Sequence, residues 1–440
     1  MAEREFSGVF DNMISKEQLG ALCREHEPVA RRERKRTTEE VVADLVYHQL
    51  HEDGTLAEHG ARLGGNTISD GAYTQRRQLL PEQLFEEVMR VALQPLAKVQ
   101  EHADGFYQGW RLVGVDGTEA SVTNTPANKI LSKANTRRGK AAFAKLKLVT
   151  AMELGTHNPL AAAIGKLADY EVDLALKLWP RLPEKTLAIV DRLYGVGRHM
   201  AQMLEASQGR EIALLVRVRS QRGKSRLLKA LGDGSKLIEI LPKPRPGQAA
   251  GAPIIVREIQ AILQVPGGKT VTVRLWTSLL DATLYPAHAL AELYARRWEH
   301  ELAYRELKLD MRTGDVLNSH TPETALQELA AIVLATALVA RLRVAASEAL
   351  ALPPCRVSLR KLLLATRSLW DAIELGGSIL SAAQKAHMSE RFFQRLEREA
   401  VLPARRKRHC PRAVRQPVSS WPRLIDRSEA SGQVSITIIA

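Results

Sequence analysis

Four polar residues at regular spacing form the most informative segment of the chain: Tyr294, Arg297, Glu301 and Lys308. At about 100° per residue on a helix, they project at roughly 0°, −60°, −20° and −40°, so they share one narrow stripe. A carboxylate suits a divalent cation, and two cations with a phenol suit phosphate oxygens. The stripe indicates a polyanionic substrate and a metal ion, although a merely solvated helix face has the same pattern.

Two aspartates follow runs of residues that favour β-strands. Asp116 follows residues 111–115 and precedes Gly117, which is expected to turn the chain, while Asp191 ends the continuous apolar run 186–190. Such a run is typical of a strand buried on both faces, and open α/β sheets carry their chemistry at the carboxyl ends of such strands. For each aspartate alone, the commoner explanation is a residue that starts a turn. Together with Glu301, they predict a three-carboxylate metal site.

These segments resemble the bacterial insertion-sequence transposases with a DDE triad, in the subgroup that carries a Tyr-Arg-Glu-Lys signature (the IS-four family). The resemblance covers residues 106–345 and rests on segments 115–118, 189–192, 277–286 and 294–308. It implies an α/β fold with a ribonuclease-H-like catalytic core that a β-rich insertion interrupts. It also assigns roles: the catalytic, metal-binding acids are Asp116, Asp191 and Glu301, and the DNA-contacting signature residues are Tyr294, Arg297 and Lys308.

The expected chemistry is metal-dependent cleavage at transposon ends followed by strand transfer. Two Mg²⁺ ions are expected to activate the attacking oxygen and stabilise the leaving 3′-oxygen. Mn²⁺ is expected to serve in place of Mg²⁺. No covalent link between protein and DNA is needed, so Tyr294 is interpreted as a phosphate-positioning group. The resemblance implies cut-and-paste movement through a hairpin intermediate. The expected partners are the terminal inverted repeats and target DNA, and a homodimer in a synaptic complex is expected because two ends must be paired.

Two other functions fit the same residues. A metal-dependent nuclease of the same fold shares the triad and lacks only strand transfer, so the reaction products distinguish it. A non-catalytic DNA-binding regulator is the second alternative. DNA binding without any metal requirement would favour that regulator, whereas the presence of all three acids favours an enzyme.

The composition of the chain favours a nucleic-acid partner. The 440 residues carry a net charge of +14, and a polyanion is the usual partner of a protein this basic. The three cysteines lack metal-ligand or disulfide spacing, which suits a reducing cytoplasm. Residues 1–7 lack the apolar core of a signal peptide, and the apolar stretch 329–340 is too short to span a bilayer. We therefore expect a cytoplasmic, nucleoid-associated bacterial protein without a membrane partner.

The N-terminal region, residues 1–105, is predicted to be helical and to bind DNA. A capping box at residues 37–40 starts one helix, and residues 55–62 and 69–80 form a potential helix–turn–helix around the glycines at 64 and 65. Its second helix carries Arg76 and Arg77, which are candidate contacts to phosphates or base edges. An ordinary helical hairpin with a basic surface is the alternative.

The rest of the chain divides into two predicted regions. Residues 106–345 form the catalytic domain, with the β-rich insertion at about 205–272 and a buried helix from about 322 to 345. The resemblance implies a tryptophan in this region that stacks on a flipped base, and Trp276 is the one candidate, but its apolar strand favours a core position. Residues 346–440 are predicted to be a helical C-terminal region with a basic tail at 405–408.

Overall fold

The computed structural model describes residues 6–26, 34–64, 66–136, 139–219, 225–244, 251–265, 269–310, 316–403 and 435–439. The helices in these residues are α1 (Phe6–Asp11), α2 (Lys16–His26), α3 (Thr38–Gln49), α4 (Leu56–Arg62), α5 (Asp70–Leu79), α6 (Glu82–Ala92), α7 (Glu171–Leu178), α8 (Gly197–Ala206), α9 (Ala287–Tyr294), α10 (Trp298–Asp310), α11 (Pro322–Ala349), α12 (Leu359–Gly376) and α13 (Ala382–Glu399). The strands are β1 (Phe106–Tyr107), β2 (Trp110–Val122), β3 (Lys133–Thr136), β4 (Gly139–Glu153), β5 (Pro159–Lys166), β6 (Thr186–Val190), β7 (Ile212–Arg217), β8 (Ser225–Ala230), β9 (Lys236–Ile240), β10 (Ile254–Val265), β11 (Lys269–Thr277), β12 (Val316–Leu317) and β13 (Ser435–Ile438). The fold is therefore mixed α/β, with many helices and mostly antiparallel strand pairs.

The chain divides into two compact units. The first unit comprises Met1–Asp104, Gly117–Leu174 and Leu302–Pro403, and the second comprises Gly105–Asp116, Ala175–Glu301 and Ala404–Ala440. The first unit draws on all three predicted regions, so the domain division at 105 and 345 stays a prediction. The basic tail at 405–408 lies outside the described residues.

Parallel strands form one side of the sheet in the second unit. The first part of β2 pairs in parallel with β6, from Arg111 opposite Thr186 to Val115 opposite Val190. Strand β6 pairs in parallel with β7, and all five residues of β6 are buried. The predicted strand buried on both faces is thus confirmed, and its unbroken apolar sequence follows from that burial.

Antiparallel strands extend this sheet in the order β7-β11-β10-β9-β8. They confirm the predicted β-rich segment, and β13 adds a further strand along β10. Strand β8 was not predicted, because all six of its residues are exposed and its sequence lacks an apolar periodicity. Trp276 is fully buried on β11 and donates a hydrogen bond to Glu258 (3.0 Å), as a core residue would.

The prediction that Gly117 turns the chain after Asp116 is wrong, because β2 continues to Val122. A Cβ atom at position 117 would lie 2.4 Å from the carboxylate of Glu171. The glycine leaves room for this side chain inside the strand and does not form a turn. Asp116 therefore lies within β2, whereas Asp191 directly follows the end of β6.

The first unit is built around α11. The helix begins with a capping box, in which the side chain of Thr321 accepts a hydrogen bond from the backbone N–H of Thr324. Pro322 occupies the first turn. The helix is long and apolar enough to cross a membrane, but 83% of its most apolar window is buried in the protein. It packs on α3, α6, α12 and β5, which confirms the predicted buried helix.

The two helices of the predicted helix–turn–helix are present in the first unit. Thr55 starts α4 with a capping box, and Ser69 caps α5. The buried carboxylate of Asp44 accepts hydrogen bonds from Arg36 (2.8 Å) and Tyr73 (2.7 Å), which ties α3 to α5. This network fixes the hairpin from its buried side.

Candidate functional site

Adjacent parallel strands bring the two aspartates together in the second unit. Val115 and Val190 are register partners on β2 and β6, so Asp116 and Asp191 are the next residues on neighbouring strands. Neighbouring strands lie about 4.8 Å apart, and paired positions face the same side of a sheet. The parallel register therefore places both carboxylates at one edge of the buried sheet.

The signature segment is not one continuous α-helix. Tyr294 is the last residue of α9, a 3₁₀ turn covers Ala295–Arg297, and α10 then carries Glu301 in its first turn and Lys308 in its last. The 3₁₀ turn advances about 120° per residue instead of about 100°, so it rotates Tyr294 relative to the single stripe predicted from sequence. Pro286 is the residue that precedes α9. Glu301 and Lys308 remain on one face because they lie seven residues apart on α10.

Arg297 connects two of the predicted acids. One guanidinium nitrogen donates to Glu301 Oε1 at 2.7 Å, and another lies 3.7 Å from Asp116 Oδ2. Although burial alone would lower the pKa of Arg297, its partners Tyr294, Glu301 and Asp116 raise it above the ordinary arginine value. Arg297 therefore remains charged and acts as the counter-ion of both carboxylates.

Tyr294 is held as a neutral phenol. Burial raises its pKa, even though the neighbouring cations Arg297 and Arg217 favour the phenolate. A protonated hydroxyl donates a hydrogen bond to a phosphate oxygen, whereas a nucleophile would require the opposite shift. The environment of Tyr294 fits positioning rather than covalent catalysis.

Arg217, one of several basic residues of the β-rich segment whose charge suits contact with DNA, lies beside the predicted site residues. It ends β7, next to Val216, whose register partner on β6 is Val190. Burial lowers its pKa, and it interacts electrostatically with Tyr294, Arg297 and Asp191. The signal was present in the sequence, since a buried run ending in a charged residue repeats the pattern of residues 186–191.

Asp191 starts a turn, which is the commoner role of an aspartate at the end of a strand. Its Oδ1 accepts the backbone N–H of Leu193 at 2.6 Å, and its carbonyl oxygen accepts that of Tyr194 at 3.3 Å. These contacts form a turn that fixes the orientation of the carboxylate. A carboxylate has several acceptor positions, so this turn leaves capacity for a cation.

Asp116, Asp191 and Glu301 provide a donor set of carboxylate oxygens, the hard ligands that Mg²⁺ prefers. Among the described residues, the groups whose potential ligand atoms all lie within 4.8 Å of one another do not include this triad. Arg297 instead lies between the carboxylates of Asp116 and Glu301. The three carboxylates are suitable ligands for a divalent cation. In this structure, the Arg297 guanidinium neutralises two of them, those of Asp116 and Glu301.

Arg76 and Arg77 lie in the first unit, where their side chains contact protein groups. Arg77 donates to Ser319 Oγ (3.0 Å) and to the carbonyl oxygen of Thr324 (2.7 Å), and burial lowers its pKa. Arg76 donates to Thr38 Oγ1 at 2.9 Å. Arg77 therefore links α5 to the start of α11, and DNA contact by either arginine stays a prediction.

Three known protein families or structures are similar to this chain. A family model described as "Transposase DDE domain" matches residues 110–338, a range that contains Asp116, Asp191 and Glu301. Transposase InsG for insertion sequence element IS4, from Escherichia coli (strain K12), is 30% identical over 275 residues. That match covers 62% of this chain and 60% of the length of the relative. The cryo-EM structure of a piggyBac transposase synaptic complex with hairpin DNA aligns with 91% of this chain and 85% of that chain, at 11% identity and a TM-score of 0.44.

Proposed function

Because the chain belongs to the family of transposase DDE domains, we propose that it is a DNA transposase that cleaves DNA at the ends of an insertion sequence and transfers the strands. The single observation that carries this proposal is the arrangement of the acids. Asp116 and Asp191 follow register partners on adjacent parallel strands, and Arg297 joins Asp116 to Glu301. The net charge of +14 supports a nucleic-acid substrate.

The finer description of the fold that we propose is a ribonuclease-H-like core. In the second unit, β2 is followed along the sheet by β6 and β7. The other part of β2 belongs to the first unit, where the neighbouring strands are β4 and then β5. Within the second unit, the two strands β6 and β7 that follow β2 along the sheet both run parallel to it, which supports this assignment.

Asp116, Asp191 and Glu301 are the residues that would hold divalent cations, with Mg²⁺ as the expected ion and Mn²⁺ as its substitute. Bound there, such cations supply Lewis-acid activation of the attacking oxygen and stabilisation of the leaving 3′-oxygen. The carboxylates provide the ligands, and the turn at Asp191 keeps its side chain oriented. Because Asp116 lies on β2 and Asp191 directly follows the buried strand β6, their spacing is set before DNA binds.

The cations and the phenol of the site are proposed to bind the DNA backbone. Arg297 and Arg217 carry positive charge close to the acids, and Tyr294 supplies a neutral hydroxyl donor. Lys308, in the last turn of α10, is also proposed to contact the DNA backbone. Guanidinium groups bind phosphates through paired N–H donors, so they fix the scissile phosphate rather than only attract it.

The proposed partners are the terminal inverted repeats and the target DNA, in a synaptic complex that contains two copies of the chain. Pairing two transposon ends requires two sites, which is the reason for proposing a homodimer. The helices α4 and α5, with Arg76 and Arg77, are proposed to contribute to recognition of the ends. The proposed location is the bacterial cytoplasm, on the nucleoid.

An excision assay tests this function. A marker is flanked by the DNA that borders the gene, and excision is compared between wild type, Glu301→Gln and the matched control Glu292→Gln, whose side chain is exposed on α9. We expect excision by wild type and by Glu292→Gln, and none by Glu301→Gln. Cleavage without joining would support the nuclease instead, and specific binding to the ends without cleavage by any variant would support the regulator.

A further inference from the structure

An ion pair between a buried arginine and a partly buried aspartate joins the β-rich insertion to the start of the signature segment, within the second unit. We propose that Asp233 and Arg257 form a latch that positions α9 and, through it, Tyr294 and Arg297. Asp233 lies in the loop between β8 and β9, and Arg257 lies on β10. The proposal rests on the proposed function, because it concerns residues assigned to binding the scissile strand.

Asp233 supplies the N-terminal cap that α9 lacks in its own sequence. Pro286 precedes this helix and provides no side-chain hydrogen bond to it. Asp233 Oδ2 instead accepts the backbone N–H of Ala287, the first residue of α9, at 2.8 Å. The first N–H groups of a helix have no partner inside it, and a carboxylate there is favoured by both the hydrogen bond and the helix dipole.

The loop that carries Asp233 is fixed by its own contacts. Asp233 Oδ1 accepts the backbone N–H of Ser235 at 3.1 Å, and Gly234 adopts a φ of +80°, which favours glycine. The Ser235 hydroxyl in turn accepts a hydrogen bond from Arg257 Nε at 2.7 Å. The segment 232–235, which in the sequence reads as an ordinary turn, therefore presents a carboxylate in a defined direction.

Arg257 holds the segment that leads into α9. It is fully buried, and it pairs with Asp233 through Nη2. Its Nη1 donates to the carbonyl oxygen of Tyr285 at 2.6 Å and lies 3.4 Å from those of Leu279 and Asp281. A buried guanidinium is stable only when its donors are satisfied, so this cluster favours one position of the chain over displaced ones.

A displacement of the start of α9 would also move the site residues, because α9 is short. It spans Ala287–Tyr294, and Arg297 ends the 3₁₀ turn that follows. A helix of this length moves nearly as a rigid body, so a shift at Ala287 displaces the Tyr294 hydroxyl and the Arg297 guanidinium. Displacements of about 1 Å in groups that position a substrate reduce rates by about a hundredfold.

The test uses the full-length protein and three variants. Asp233→Asn removes the charge of the cap. Asp233→Asn combined with Arg257→Met also removes the guanidinium, so no unpaired charge stays buried. The matched control is Glu239→Gln, which removes an acid of the same insertion whose ion pair with Arg226 (3.2 Å) does not involve α9.

Hydrogen exchange of the amides in residues 287–294 is the first measurement, and it does not depend on activity. We expect exchange there to become about fivefold faster in Asp233→Asn, as for loss of a helix cap, with no change in β6. The double variant should recover global stability but keep the fast exchange in α9. Glu239→Gln should behave as wild type.

The second measurement is cleavage of a duplex that contains the element's end. For Asp233→Asn and for the double variant, we expect kcat to fall about tenfold or more while KM for DNA changes less than about twofold. The positioning role of Asp233 and Arg257 would be overturned by either of two results. One is hydrogen exchange in α9 at the wild-type rate in either variant, and the other is faster exchange with an unchanged kcat. An inactive wild type would refute the proposed function, and the exchange experiment would still decide whether the latch exists.

Discussion

Replacing Arg297 by methionine should strengthen the binding of divalent cations in the absence of DNA. The guanidinium donates to Glu301 at 2.7 Å and lies 3.7 Å from Asp116, so it neutralises two carboxylates proposed as metal ligands. A cation that enters the site must compete with this internal positive charge. Methionine keeps most of the apolar length of the side chain and removes the competitor.

The expected magnitude follows from the exposure of the partners. A hydrogen bond to a charged group contributes about 1.5–3 kcal/mol, and a pair in the open contributes about 0.2–1 kcal/mol. The Arg297 side chain is 16% exposed and that of Glu301 is 40% exposed, which places this pair between the two cases. We take about 1.4 kcal/mol, which corresponds to roughly tenfold tighter binding of Mn²⁺.

Calorimetric titration with Mn²⁺ at pH 7.5, without DNA, measures this effect. The matched control is Arg226→Met, which removes one positive charge from an exposed position on β8, where the side chain is 72% exposed. In parallel, Arg297→Met should bind DNA more weakly, with a salt dependence reduced by about one unit. Unchanged or weaker Mn²⁺ binding by Arg297→Met, or an equal gain in Arg226→Met, would refute the competition between guanidinium and metal.

Three further changes have defined outcomes. Arg217→Ala removes a cation beside the acids and should slow single-turnover DNA cleavage about tenfold, whereas an unchanged rate would place this residue outside the site. Gly60→Ala puts a Cβ 2.0 Å from the Tyr73 hydroxyl and should reduce the free energy of unfolding by about 2 kcal/mol in urea titrations. Burial lowers the pKa of His48 and His51 to about 4 each, so below pH 6.5 the unfolded chain binds protons that the folded chain does not. The contribution of these two histidines to the free energy of unfolding is therefore fully present above pH 6.5 and should be lost as the pH falls toward 4. A melting temperature that does not fall between pH 7 and pH 4.5 would contradict this last prediction.

The buried strands and their acids were predictable from sequence because local chemistry determines them. An unbroken apolar run is compatible with a strand covered on both faces, and Asp191 marks the point where such a run ends. The capping boxes at Thr37 and Thr55 are equally local, and both helices begin where these residues indicate. The long apolar helix α11 follows from composition alone.

Other features depend on contacts that no local pattern encodes. Glycine is used both for turns and for close approach, and only the position of Glu171 shows that Gly117 serves the second purpose. The 3₁₀ turn at Ala295–Arg297 contains no glycine or proline that would signal a break in the helix. The interaction of Asp233 with Ala287 joins residues far apart in sequence, so it became visible only in the folded chain.

The most direct test of the central claim is single-turnover cleavage of a labelled duplex that contains the element's end, with purified protein in Mg²⁺. Wild type is compared with Asp191→Asn, and DNA affinity is measured for both. If the three acids hold the catalytic cations, wild type cleaves only with the divalent ion. Asp191→Asn should then lose roughly a thousandfold or more in rate while it still binds DNA. Cleavage that survives in Asp191→Asn, or that proceeds equally in excess chelator, would contradict the claim.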